Sequence, residues 1–153
     1  MTIAGVLDDA FGRLPDCWAP ADGANPVGWL IWHLTRVQDH HIADVLGTDQ
    51  VYVSGSWAQC FGREPDPSDI GYGHSAADVA AVRPQGWEAL VDYHTAVYDR
   101  TREFLHGLEP ADLDRVVDES WDPPVTLGVR LVSILADDLQ HIGQAAYVRG
   151  LLR

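Results

Sequence analysis

Asn25-Pro26-Val27-Gly28-Trp29-Leu30-Ile31-Trp32-His33-Leu34-Thr35-Arg36-Val37 opens the stretch on which the fold turns. Asn25 is a good N-cap, Pro26 suits a first helical position, and Gly47 is the stop after Leu46. Val27, Leu30, Ile31, Leu34, Val37, Ile42 and Val45 recur at the helical period and give a broad buried face. His33 lies on the flank of that face, aligned with Leu30 and Val37. His40 returns to nearly the same direction seven residues later.

Three further patterns carry the fold. Ile3, Val6, Leu7 and Phe11 mark a short helix from about Ile3 to Leu14, stopped by Pro15. Trp87, Leu90, Val91, His94, Val97, Tyr98, Thr101 and Leu105 mark a long one from about Gln85 to His106. The last runs from about Thr126 to Gly150, with Leu127, Leu131, Ile134, Leu135, Ile142 and Ala146 as its core face. One short helix and three long ones sum to an all-α, antiparallel-type four-helix bundle in a single domain of 153 residues. Between the second and third main helices, about Gln50 to Ser75, the period lapses and glycine and proline punctuate the chain. Such a long connection often lines a site. Ser75 followed by Asp78 predicts one capped short helix before Pro84.

Composition narrows the function. The net charge of −13 argues against nucleic acid, because phosphate binding needs basic residues in excess. All ten basic residues are arginine, which fits codon bias in a GC-rich genome. No apolar run approaches the roughly 20 residues of a membrane span, and the N-terminus does not read as a signal peptide. Cytoplasm is the expected location. Cys17 and Cys60 form no metal or redox motif and are expected to be reduced.

Chemistry concentrates in Asp137-Asp138-Leu139-Gln140-His141. Residues 137 and 141, four apart on a helix, stand one above the other and can share a cation. If the helix bearing His33 packs alongside, two imidazoles and a carboxylate converge, a ligand set for a divalent metal with open positions. The competing readings are a solvated Asp137 and a hydrogen-bonded core His33. Asp138 is the alternative ligand if the helix is rotated. His41 is the candidate acid or base, His74 and His94 stand behind it, and His106 reads as a cation at a helix C-terminus. No HExxH, GxSxG or glycine-rich phosphate loop is present.

Two segments then resemble the signature helices of the DinB-like superfamily. They are Gly28-Trp29-Leu30-Ile31-Trp32-His33-Leu34-Thr35-Arg36-Val37-Gln38-Asp39 and Gln140-His141-Ile142-Gly143-Gln144-Ala145-Ala146-Tyr147-Val148-Arg149-Gly150. Trp121-Asp122-Pro123-Pro124-Val125-Thr126-Leu127-Gly128 is similar to the lead-in of the last helix. The superfamily includes thiol S-transferases and the metal-binding domain of mycothiol-dependent maleylpyruvate isomerase.

The resemblance implies a metal held by His33, Asp137 and His141. The middle position is His in many relatives and Glu in the isomerase branch; Asp137 is one methylene shorter than Glu. It further implies transfer chemistry with a low-molecular-weight thiol such as mycothiol, with Zn²⁺, Ni²⁺ or Fe²⁺ as cofactor and a small electrophile as second substrate. Arg36 or Arg149 is then the group that meets an anionic thiol cofactor. The isomerase carries a further domain, so isomerisation is not the expected activity. The other expectation is a non-catalytic, metal-binding or stress-associated bundle, acting as a homodimer.

Overall fold

The computed structural model describes residues 23–151. Helices dominate them: α1 (Val27–Leu46), α2 (Val51–Ser54), α3 (Trp57–Cys60), α4 (Ala76–Ala81), α5 (Trp87–His106) and α6 (Leu127–Gly150). A 3₁₀ turn at Pro110–Asp114 and a two-stranded antiparallel hairpin, β1 (Val116–Asp118) with β2 (Val125–Thr126), join α5 to α6. The helix expected near the N-terminus, and Cys17, lie outside the described residues. Cys60 is a free thiol. No described helix is long and apolar enough to cross a membrane.

The caps explain the boundaries. Gly47 closes α1 in the left-handed region at φ 65°, which glycine adopts without steric cost. Ser75 and Asp78 form the reciprocal capping box expected for α4. The Thr126 side chain accepts from the Val129 amide and starts α6. At the head of α1 the cap position falls to Pro26 rather than Asn25, and no side chain caps it.

The α1 helix is the axis of the molecule, with fifteen of its twenty residues buried. It packs most extensively on α6, then on α5. The pairings Arg36–Tyr93 and Gln38–Thr101 advance together, so α1 and α5 run in the same direction. His33 meets His141, whereas Gln38 and Ile42 meet residues 131–138, so α6 runs antiparallel to both. The expected antiparallel succession therefore fails between α1 and α5. Two consecutive parallel helices need a connection that travels back along the bundle, which accounts for the long segment 47–86.

The core joins Leu30, Ile31, Trp32 and Leu34 of α1 with Tyr52, Phe61, Leu90, Tyr93 and Val97. On α6 the buried line is Leu127, Ile134, Ala145 and Val148, while Leu135 is 57% exposed. Leu135 was assigned to the core face because apolar residues surround this helix, and its rotation is legible only in the packed structure. Tyr98 and Leu105 of α5 are likewise exposed.

Candidate metal centre

Antiparallel packing of α1 on α6 brings His33, Asp137 and His141 together. Each offers one ligand atom, and these atoms all lie within 4.8 Å of one another. A tetrahedral divalent site separates its donors by roughly 3.4 Å, so small side-chain rotations close the set. His141 Nε2 stands 3.5 Å from Asp137 Oδ1, as the four-residue spacing requires.

Both imidazoles have their outward nitrogen committed. His33 Nδ1–H donates to the Ile70 carbonyl at 2.5 Å, and His141 Nδ1–H donates to Gln144 Oε1 at 2.9 Å. A carbonyl oxygen only accepts, so each ring carries its proton on Nδ1 and keeps the Nε2 lone pair free, the tautomer a metal ligand needs. Burial lowers the His33 pKa, opposed by the bond to Ile70, and this favours the neutral ring. Asp137 Oδ2 is buried with no hydrogen-bond partner among the described residues. A buried carboxylate oxygen without a partner is costly, and a cation between the two histidines would satisfy it. The donor set fits a divalent metal.

The neighbouring Asp138 turns elsewhere. It lines a cavity of about 310 Å³ with Gln38, Ile42, Thr101, Leu131 and Ile134. Burial, with the charge of Asp137, raises its pKa to about 7. Of the two aspartates left open by the sequence, Asp137 is the one that joins the histidines.

Three assigned residues are not brought to this cluster. His41 follows His33 by eight residues, about 12 Å along α1, and faces Arg130 and Asp118 near the hairpin. Burial, then Arg130 and His40, lower its pKa to about 4. Arg36 is fully buried. Its guanidinium bonds Gln50 Oε1 at 2.7 Å and the Asp69 carbonyl at 3.0 Å, pairs with Asp39 at 3.5 Å and lies over the Tyr52 ring. It is committed to the interior and out of reach of an anion in solvent. Arg149 is half-buried, two turns beyond His141 in the last turn of α6.

The contacts least visible in the sequence join α1 to the connecting loop. Trp29 stacks on His33 with centroids 4.7 Å apart and planes 12° from parallel. Its indole N–H donates to His74 Nδ1 at 3.2 Å, and His74 Nε2 bonds Asp69 Oδ1 at 2.8 Å. The glycines of this loop were a signal of special backbone, but what they approach is a long-range fact.

The DinB superfamily model matches residues 7–145. The chain belongs to the DinB superfamily. A crystal structure described as a conserved protein of locus from Enterococcus faecalis superposes with a TM-score of 0.84 at 30% identity. The match covers 95% of this chain and 87% of that one. No curated protein matches. Membership in this superfamily supports a metal-binding helical domain.

Proposed function

We propose that this DinB-superfamily bundle is a divalent-metal-dependent transferase, with His33, Asp137 and His141 as ligands and a low-molecular-weight thiol of the mycothiol type as nucleophile. The observation that carries this reading is the donor cluster itself. Two imidazoles with free Nε2 atoms gather at a carboxylate whose Oδ1 stands 3.5 Å from His141 Nε2 and whose Oδ2 is buried and unpartnered among the described residues. A Zn²⁺-like ion bound there supplies Lewis acidity, favouring the thiolate of a group whose free pKa is about 8.5.

The residues divide the remaining work. His33 is the inner anchor, neutral and held by Ile70. Asp137 supplies the one negative charge, which leaves a bound divalent ion net positive and suited to a thiolate. Trp29 covers the inner side of His33 and excludes water there. The side chains of Asp137 and His141 are 30% and 17% exposed, so the centre is reached from the α6 side.

Metal analysis of protein purified without chelator, followed by a thiol-consumption assay with a panel of small electrophiles, tests the proposal. Near-stoichiometric metal and turnover in wild type, both lost in His141→Ala, are expected. Metal without turnover would leave a binding protein, and trace metal equal in both proteins would overturn the site.

A further inference from the structure

The ring of His33 is held on three sides, two of them by a short stretch of the connecting loop and one by α1 itself. From below, the Ile70 carbonyl takes the Nδ1 proton at 2.5 Å. On its face lies the Trp29 indole, near-parallel and one helical turn earlier in α1. Against the edge comes Gly71, at φ +90°, a conformation that L side chains rarely adopt. A Cβ on Gly71 would stand 2.7 Å from His33 Nδ1, 3.0 Å from the Trp32 ring and 3.2 Å from Trp29. The backbone therefore seals directly onto the imidazole.

Trp29 is itself fixed, and the polarity of the bonds that fix it leaves no choice. An indole N–H only donates, so His74 Nδ1 accepts and His74 must carry its proton on Nε2. That proton goes to Asp69 Oδ1. Asp69 Oδ2 is paired with Arg63 at 2.5 Å, and the Asp69 carbonyl takes the Arg36 Nε–H. The His74 ring also stacks on Trp32, with centroids 5.7 Å apart. The result is an ordered relay from a buried arginine to the histidine face.

We infer that Asp69, His74, Trp29 and Gly71 are positioning residues for His33, a template that holds the ring on the Ile70 carbonyl, which fixes its tautomer, and aims Nε2 at Asp137 and His141. This inference rests on the metal reading of those three residues and deepens it. Partners one step beyond a metal ligand commonly change affinity by about 10–100-fold when removed. Trp29 also meets the His141 ring edge-on, with centroids 6.5 Å apart, so the relay touches both histidines while supplying no ligand atom.

The test has two arms, both applied to the full chain. In the first, Co²⁺ is titrated into wild type, His33→Ala, Trp29→Phe, His74→Ala, His74→Gln and Gly71→Ala, reading the dissociation constant and the visible ligand-field spectrum. Trp29→Phe keeps an aromatic face and removes the N–H donor together with part of the ring. Weakening of about 10-fold or more with an altered spectrum is expected for Trp29→Phe, His74→Ala and Gly71→Ala. His74→Gln, which retains an acceptor and a donor, is expected to recover most of the loss. The second arm needs no metal: ¹⁵N NMR of the His33 ring reports the Nδ1–H tautomer, and its loss in Trp29→Phe or His74→Ala is expected.

Tight Co²⁺ binding that His33→Ala abolishes, with an unchanged spectrum and affinity in Trp29→Phe and His74→Ala, overturns the positioning role alone. No Co²⁺ uptake by wild type overturns the metal reading, and the tautomer measurement then decides the positioning role by itself. A Gly71→Ala protein that does not fold leaves the decision with Trp29→Phe, which changes no backbone.

Discussion

The two helices that supply the donor atoms hold them in opposite ways. On α1, His33 is only 7% exposed and is stacked, hydrogen-bonded and sealed by a loop. On α6, Asp137 and His141 stand on a helix that shows solvent Val132, Leu135 and Leu139. His141 bonds Gln144, three residues on along the same helix, touches Asp137 and meets the Trp29 and His33 rings edge-on, but no described loop is sealed onto either residue. One half of the centre is prebuilt, and the other has room to adjust. Such a division suits an ion whose coordination changes as substrate enters, because the adjustable donors are on the open side.

The sharpest way to break this contrast is to attack the α1 side beneath the site. Arg36→Met leaves Asp39, which is 1% exposed, without its closer cation, although Arg100 stays 3.9 Å away and the carboxylate still accepts from the Val51 and Tyr52 amides and the Tyr93 hydroxyl. Breaking a buried ion pair on one side costs about 3–5 kcal/mol. A fall in Tm of about 10 °C or more is expected by calorimetry.

The proposed metal ligands come next. His33→Ala is expected to abolish stoichiometric uptake, whereas Asp137→Asn weakens binding by about 100-fold, or roughly 2.7 kcal/mol. Asp137→Glu, lengthening a donor on the adjustable side, is expected to stay within about 10-fold of wild type. Isothermal titration with Zn²⁺ reads all three. If Asp137→Glu proved as damaging as His33→Ala, the two sides would be equally rigid and the contrast would fall.

A pH experiment follows. His41 titrates near 6.5 when unfolded and near 4 when folded, chiefly because of burial. Between those values the unfolded chain binds the proton and the folded one does not, so the His41 contribution rises with pH across that window, against Asp138, whose carboxyl, raised to about 7, acts with the opposite sign. The contribution, complete above about pH 6.5, is about 2 kcal/mol once discounted for the solvent the ring still meets. His33 and His94, both shifted downward by burial, act with the same sign. Urea melts from pH 4 to 7 on wild type and His41→Gln check it: relative to wild type, the variant is expected to gain stability toward pH 4 and lose that advantage toward pH 7.

The smallest effect is expected on the exposed face of α6. Leu139 is 62% exposed, and Leu139→Ala is expected to alter stability by no more than about 0.5 kcal/mol. A larger loss in a denaturant melt would mean that this face is covered in solution.

Much of this was legible in the chain, and the illegible part has one cause. Gly47, the Ser75–Asp78 pair and Thr126 announce the ends of α1, α4 and α6 through local chemistry, and they stand where expected. The four-residue step from Asp137 to His141 is equally local. What could not be read depends on residues distant in sequence. The burial of Arg36 needs Gln50, Asp69 and Tyr93 around it. The rotation of α6 needs α1 beside it, and the close approach of Gly71 needs both tryptophans. The hairpin before α6 was missed because its strands, three and two residues long, are too short to show an alternation. The shared direction of α1 and α5 was hidden because a long connection permits either direction.

His33 and His141 are separated by 108 positions (141 − 33) and come from opposite halves of the chain. An ion shared between them would act as a clasp closing a circuit that spans most of the protein. Covalent closure of a loop of about 100 residues removes about 4.7 kcal/mol of unfolded-chain entropy. Reversible closure by a metal follows mass action instead, so the protein's resistance to unfolding would track the free metal concentration around it.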